Sequence, residues 1–175
     1  TVPGVVTGKP IDIGGSLGRP EATGRGVMIC LMKLLEKQGL APENVRVAVQ
    51  GMGNVGSVAA SLIAAQGCTV VGVSDVSGGL YCPDGLDIPD IVRYLREKKG
   101  NLLSGYPAEG CRRISNEDLL TCSCDVLIPA AMENQITKEV AEKLQASYVV
   151  EAANGPTAKD ADDVLNRRGI FLVPD

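Results

Sequence analysis

The chain has no histidine and no tryptophan, and its 175 residues include only one phenylalanine and four tyrosines. Without histidine, a zinc site would have to recruit four thiols. Six cysteines are present, at 30, 68, 82, 111, 122 and 124, but none forms a C-x-x-C pair, so no metal site is expected. Cys30, Cys68 and Cys122 fall in apolar patterns and read as small buried hydrophobes, which fits a reducing, cytoplasmic setting. Long apolar runs are missing too. None approaches the ~20 residues of a membrane span, and no signal-peptide pattern is visible, so no membrane partner is expected. Charge of one sign is not concentrated anywhere: 17 Lys and Arg stand against 21 Asp and Glu, a net charge of −4. The longest basic run, "REKKG" (96–100), reads as a solvated helix end, and no nucleic-acid partner is expected. A phosphate-binding P-loop is also absent. In "PGVVTGKP", Pro3 stands where the first glycine belongs and Pro10 where Ser or Thr should follow Lys9.

What is present is apolar and periodic. Hydrophobic residues make up 45% of the chain, and with few aromatics the core falls to Val, Ile, Leu and Ala. That composition suits parallel strands covered by helices on both faces. Residues 1–19, rich in Gly and Pro, read as loop and short extended pieces. From Pro20 the spacing predicts a helix with Val27, Leu31, Leu34 and Leu35 on one face, closed by Gly39. Strands are expected at 44–50, 68–75, 125–130, 147–153 and 170–175. Helices are expected at 53–66 (Val55, Ala59, Leu62 and Ile63 inward, Gly67 as its cap), 88–99, 137–145 and 157–169. Strands alternating with helices of this length form βαβ units, so the fold class is α/β: a doubly wound, mostly parallel, three-layer Rossmann-like sheet spanning 1–175 as one dinucleotide-binding domain.

The stretch "RVAVQGMGNVGSVAASLIAAQG" holds a G-x-G-x-x-G pattern between a predicted strand and a predicted helix. In that setting Gly51 permits a tight turn, Gly53 lets backbone approach a pyrophosphate, and Gly56 lets helix pack close to strand. The helix N-terminus offers free N–H groups and the positive dipole end. The competing reading is an ordinary βα turn. Asp75 ends the second strand about twenty residues on, where a carboxylate accepts hydrogen bonds from an adenosine ribose and repels a 2′-phosphate. NAD is therefore favoured as cofactor, with NADP possible. The other reading of Asp75 is a turn former ahead of "VSGG".

Three further stretches lie outside generic dinucleotide binding: "GGSLGRPEATGRGV" (14–27), "PAAMENQIT" (129–137) and "EAANGPT" (151–157). With "GMGNVG" and "YCPDGLD" they closely resemble the coenzyme-binding domain of the hexameric glutamate dehydrogenases, of the Glu/Leu/Phe/Val dehydrogenase family, and the resemblance runs along the whole chain. It implies reversible NAD(P)-dependent oxidative deamination of L-glutamate to 2-oxoglutarate and ammonia, in a homo-oligomer, a hexamer, of complete subunits. It also implies that the proton-handling Lys and Asp lie in a preceding substrate domain. No catalytic residue is then expected in this stretch, and the missing histidine needs no replacement.

Site roles follow from the same resemblance. Thr23 would hydrogen-bond the nicotinamide carboxamide; a helix-capping hydroxyl is its alternative. Asn54 and Val55 would meet the pyrophosphate. Ala130 and Ala131 would leave room for the cofactor at a strand end, and Asn154 would contact the nicotinamide ribose. Arg19 and Asn134 are weaker candidates, with turn-stabilising roles equally open. Two alternatives to the enzyme reading stand: a non-catalytic NAD-sensing module, and a fragment that assembles with its missing domain in trans.

Overall fold

The computed structural model describes residues 3–6 and 8–175. Within the N-terminal stretch expected to be loop, residues 1, 2 and 7 lie outside the described residues. The rest carries two short 3-10 turns, Pro3–Val5 and Ile11–Ile13, rather than extended pieces. Beyond them the chain forms β1 (Arg46–Gln50), β2 (Thr69–Asp75), β3 (Gly78–Tyr81), β4 (Arg112–Ile114), β5 (Val126–Pro129), β6 (Tyr148–Val150) and β7 (Phe171–Val173). Its helices are α1 (Arg19–Gln38), α2 (Asn54–Ala65), α3 (Ile88–Glu97), α4 (Asn116–Leu120), α5 (Lys138–Lys143) and α6 (Asp162–Arg168).

The seven strands form one sheet in the order β4-β3-β2-β1-β5-β6-β7. β1 pairs in parallel with both β2 and β5, and β5-β6-β7 continue in parallel. β3 and β4 are antiparallel additions at one edge. This is the mostly parallel, doubly wound sheet that the alternation implies.

Side chains alternate across the strands and divide the core into two layers. Val47 and Val49 of β1, Val70 and Val73 of β2, and Val126 and Ile128 of β5 pack with α1, α2 and α3. Ala48, Val71, Leu127 and Val149 face the other way, against residues of α4, α5 and α6. The expected face of α1 is buried at Val27, Leu31, Leu34 and Leu35, and Gly39 closes the helix in a left-handed conformation. In α2, Ala59, Ala60 and Ile63 are fully covered while Leu62 and Val55 are half-buried. α2 ends at Ala65, and Gly67 closes it as expected: its φ is positive, its N–H donates to the Ala64 carbonyl (3.0 Å), and the Cys68 N–H donates to the Ile63 carbonyl (3.4 Å).

Two differences from the sequence reading have physical causes. The antiparallel edge pair escapes it because β3 is two glycines, Leu and Tyr, and β4 is a three-residue "RRI" with both arginines exposed, so neither carries an alternating apolar signal. Cys30, read as a buried hydrophobe, is exposed, because it falls at the edge of the α1 stripe rather than on it. Cys68 and Cys124 are the buried thiols, and Cys122 is half-buried.

Chain order places the switch point of the sheet at β1. From β1 the chain moves outward through β2, β3 and β4, then returns to β1's other side with β5. The two parallel neighbours leave β1 on opposite sides, and their connections open a crevice above its carboxyl end, where ligands of such sheets bind.

Candidate dinucleotide site

The turn after β1 explains two of its three glycines internally. Gly51 has φ 95°, and a Cβ there would lie 2.9 Å from the Ala130 carbonyl oxygen. A Cβ at Gly56 would lie 1.7 Å from the Gly51 carbonyl oxygen, so α2 sits against the end of β1 only because residue 56 is bare. Gly53 is different. Its backbone (φ −75°, ψ −160°) suits any residue, and a Cβ there meets nothing within 4 Å. The protein itself makes no claim on that space. It opens onto the crevice, and a side chain at 53 would occupy it.

Gly53 is also the N-cap of α2, with no side chain capping it and no acidic residue in the first turn. The helix's own bonding starts with Ser57 N–H donating to the Gly53 carbonyl (3.0 Å), so the Asn54, Val55 and Gly56 N–H groups precede it. A twelve-residue helix thus presents an uncompensated positive dipole end at the crevice.

The crevice is about 650 Å³ and is lined by Gly51, Gly53, Asp75, Ala130 and Ala131 among others. It brings together the glycine turn, the end of β2 and the end of β5, as the motifs imply. Val76 (89% exposed), Leu102 and Met132 add an apolar rim. Gly53 and Asn54 also border an adjoining cleft of about 480 Å³ against Pro20, Glu21 and Arg96. Val55 is half-buried and Gly56 buried behind the turn; neither lines the crevice.

Asp75 serves the turn and faces the crevice at once. Its Oδ1 accepts from the Ser77 N–H (2.7 Å) and the Ser77 hydroxyl (2.5 Å), and its Oδ2 accepts from the Leu103 N–H (2.7 Å). A carboxylate offers about four lone-pair sites. Three are taken, so the turn-former reading is realised and roughly one acceptor position remains, on Oδ2.

Gln50 was not singled out from sequence. Its side chain is 2% exposed at the end of β1, its Nε2 donates to Gln135 Oε1 (2.8 Å), and its Oε1 has no partner. A polar residue closing the apolar run "RVAVQ" was the available signal. Both glutamines line the crevice.

Thr23 and Asn154 are not in this crevice. They share a separate cleft of about 360 Å³ with Cys30, Glu151 and the 173–175 segment. Both are exposed. Because α1 begins at Arg19, Thr23 lies a full turn inside the helix, and its capping alternative falls; the cap is Gly18. The floor of this cleft is held by Glu151, which accepts from the Asp175 N–H (3.1 Å) and the Thr157 N–H (3.3 Å). Arg19 is exposed at the start of α1. Asn134 has φ 54°, and its N–H donates to the Gly155 carbonyl (2.9 Å), which is a turn role. Among the described residues, no group of three or more Cys, Asp or Glu side chains is arranged to hold a metal, and no helix is long and apolar enough to cross a membrane.

Comparison with known proteins agrees with this fold. The profile of the Glutamate/Leucine/Phenylalanine/Valine dehydrogenase family matches residues 14–175. The catabolic NAD-specific glutamate dehydrogenase of Bacillus subtilis is 49% identical over 179 residues, covering 99% of this chain and 40% of that protein. The NADP-specific glutamate dehydrogenase A1 of Halobacterium salinarum is 50% identical over 176 residues, covering 100% and 41%. The crystal structure of the hetero-hexameric glutamate dehydrogenase of Thermus thermophilus superposes with a TM-score of 0.85 at 38% identity, over 100% of this chain and 40% of that one. The chain thus spans about 40% of the length of the curated relatives it matches. With its motifs, its sheet order and this match over nearly its whole length, the chain belongs to the Glutamate/Leucine/Phenylalanine/Valine dehydrogenase family.

Proposed function

We propose that this chain is the coenzyme-binding part of a glutamate dehydrogenase, and that it holds a nicotinamide dinucleotide across its two clefts. The observation that carries the proposal is Gly53: bare backbone under open space at an uncapped helix N-terminus, between two glycines that the fold itself requires. The pyrophosphate would lie over Gly53, Asn54 and Val55, where N–H groups and helix dipole meet it. The Asp75 Oδ2 would accept from the adenosine ribose. Ala130 and Ala131 leave space beyond the end of β5. Thr23 and Asn154 would orient the nicotinamide end from the second cleft.

A bound nicotinamide would supply hydride-transfer chemistry at the substrate Cα, and this chain's own residues would position it. Positioning of this kind lowers the entropic cost of bringing the reacting atoms together. The complete protein would interconvert L-glutamate with 2-oxoglutarate and ammonia as a soluble cytoplasmic homo-hexamer, its proton-handling groups supplied from outside these residues. Relatives of nearly equal identity are named for NAD and for NADP, so cofactor choice rests on the site. The Asp75 carboxylate supports NAD, since it would repel a 2′-phosphate.

The test is titration of the purified chain with NADH and NADPH, followed by assay with glutamate. Saturable binding that is tighter for NADH, without glutamate-dependent turnover, is expected. Failure to bind either nucleotide overturns the reading.

A further inference from the structure

β3 and β4 run antiparallel with Tyr81 opposite Arg112, toward the end of β3 away from Asp75. The Arg112 guanidinium stacks 5.4 Å over the Tyr81 ring, which fixes that register at the level of side chains. Continued one step past this pair, the register would set Cys82 opposite Cys111, and the two thiols are close enough to hydrogen-bond. Directly opposed residues of antiparallel strands have Cα atoms about 4.5–5.5 Å apart, inside the range a disulfide spans. Alternation places the two thiols on the face of Leu80 and Arg113, which is the α3 face, and both line one cleft of about 540 Å³ with Ile91 and Tyr106. Both are half-buried, so a small solute can reach them. Burial first, then the Cys82 thiol hydrogen-bonded against it, push the Cys111 thiol up.

We propose that Cys82 and Cys111 form a reversible redox pair, converted to a cross-strand disulfide by small aliphatic disulfides such as oxidised glutathione. The Cys82 thiolate attacks one sulfur of the small disulfide, releasing one thiol and leaving a mixed disulfide on Cys82. Cys111 then attacks the Cys82 sulfur, the intramolecular S–S bond forms, and the second small thiol leaves. The protein loses two electrons and two protons, and one small disulfide becomes two thiols. Because the Cys111 thiol is pushed up, the first attack falls to Cys82.

The bond would close the base of the 83–110 excursion, which carries α3 as well as Leu95, Asn101 and Leu102 of the dinucleotide crevice. Closing a loop of about 30 residues removes freedom from the unfolded chain and raises the melting temperature by about 10 °C.

The experiment treats the full chain with excess oxidised glutathione, blocks remaining thiols, and maps the products by mass after trypsin digestion. Cys111 is the sole cysteine of peptide 100–112, and Cys82 shares peptide 47–93 with Cys68. Joined 47–93 and 100–112 peptides are expected, at the loss of two hydrogens, with the higher melting temperature reversed by dithiothreitol. Cys82→Ser should remove the link and Cys68→Ser should leave it. Glutathione adducts without a link, a free 100–112 peptide, or a link that survives Cys82→Ser would each overturn the proposal. Mass is the readout, so the result stands apart from whether the nucleotide reading holds.

Discussion

The two clefts on the carboxyl edge of the sheet are built in opposite ways. The crevice over β1 is shaped by backbone: a positive φ at Gly51, a bare contact at Gly56, and an Asp75 carboxylate tied to Ser77 and Leu103. The cleft between α1 and the ends of β6 and β7 is shaped by exposed side chains, Thr23 and Asn154, over a Glu151 floor. In the first region, folding and ligand shape depend on the same atoms. In the second, the groups that would touch a ligand contribute little to the fold.

That contrast can be broken experimentally, and Gly56→Ala should show the largest effect. A Cβ 1.7 Å from the Gly51 carbonyl oxygen forces α2 off the sheet, at a cost of roughly 3 kcal/mol or more. Thermal unfolding reads it, and a melting temperature near the parent's would mean that α2 is free to shift. Gly53→Val comes next and separates the two functions within the same turn. Its melting temperature should match the parent's, because the added atoms meet open space, while the NADH dissociation constant rises roughly a hundredfold, about 2.7 kcal/mol.

The cysteines offer the same contrast through pH. Burial, then the Glu43 charge, push the Cys68 thiol up to about 11, whereas Cys30 is exposed in the second cleft. The folded thiol stays protonated where the unfolded one, near pH 8.5, has lost its proton. Stability is therefore full below about pH 8.5 and is lost as pH rises through about 11, by roughly 1–2 kcal/mol at pH 10. Denaturant midpoints at pH 7 and pH 10 measure it, and Cys68→Ala should reduce the difference without abolishing it, because the Cys111 and Cys124 thiols are raised as well.

Asp75→Asn retains an acceptor for Ser77 but loses the charge. It should weaken NADH by about tenfold and narrow the gap to NADPH, read as paired dissociation constants at one ionic strength. An unchanged ratio would assign Asp75 to the turn alone. Smallest of all, Thr23→Ala and Asn154→Ala should each weaken NADH about fivefold, about one hydrogen bond, with stability within ~0.5 kcal/mol of the parent. A loss of stability there would erase the contrast between the two regions.

Legibility in the sequence followed the same division. The βα turn was readable because most of its constraint is local: Gly51 and Gly56 sit at fixed offsets from a strand of consecutive apolar residues, Gly51 has its positive φ within the turn, and the Gly56 contact with the Gly51 carbonyl spans five residues, whereas the approach of Gly51 to Ala130 was not readable. Asp75 was placed correctly at the strand end, but its bond to the Leu103 N–H, 28 residues away, was not readable, and that bond halves the capacity it was expected to offer. Resemblance grouped Thr23 with Asn154; only the fold shows that they share a cleft apart from the glycines. The β3–β4 pair left no trace in apolar spacing, because β3 is only four residues, two of them glycine, with Leu80 and Tyr81 buried on opposite faces, and β4 carries two exposed arginines. α4 was not expected from the sequence: a five-residue helix is too short for periodicity to reveal, and its only signal is "SNED", where Ser115 and Asp118 cap each other.

The place of β1 in the sheet also governs the order in which the chain can fold. β2 reaches β1 through one helix, and the β2–β3 turn is shorter still, so that half can pair from local contacts. β5 follows only after the whole 76–124 excursion, and the Arg46–Asp125 ion pair that fastens the β1–β5 seam joins residues 79 apart. Closing so long a loop is slow, since its entropy is lost before the seam compensates for it. Until then β1 waits with one row of amides and carbonyls unpaired along "VAV", an apolar edge open to strands of other chains. On this topology, the interval between making β2 and seating β5 leaves an apolar strand edge uncovered during synthesis.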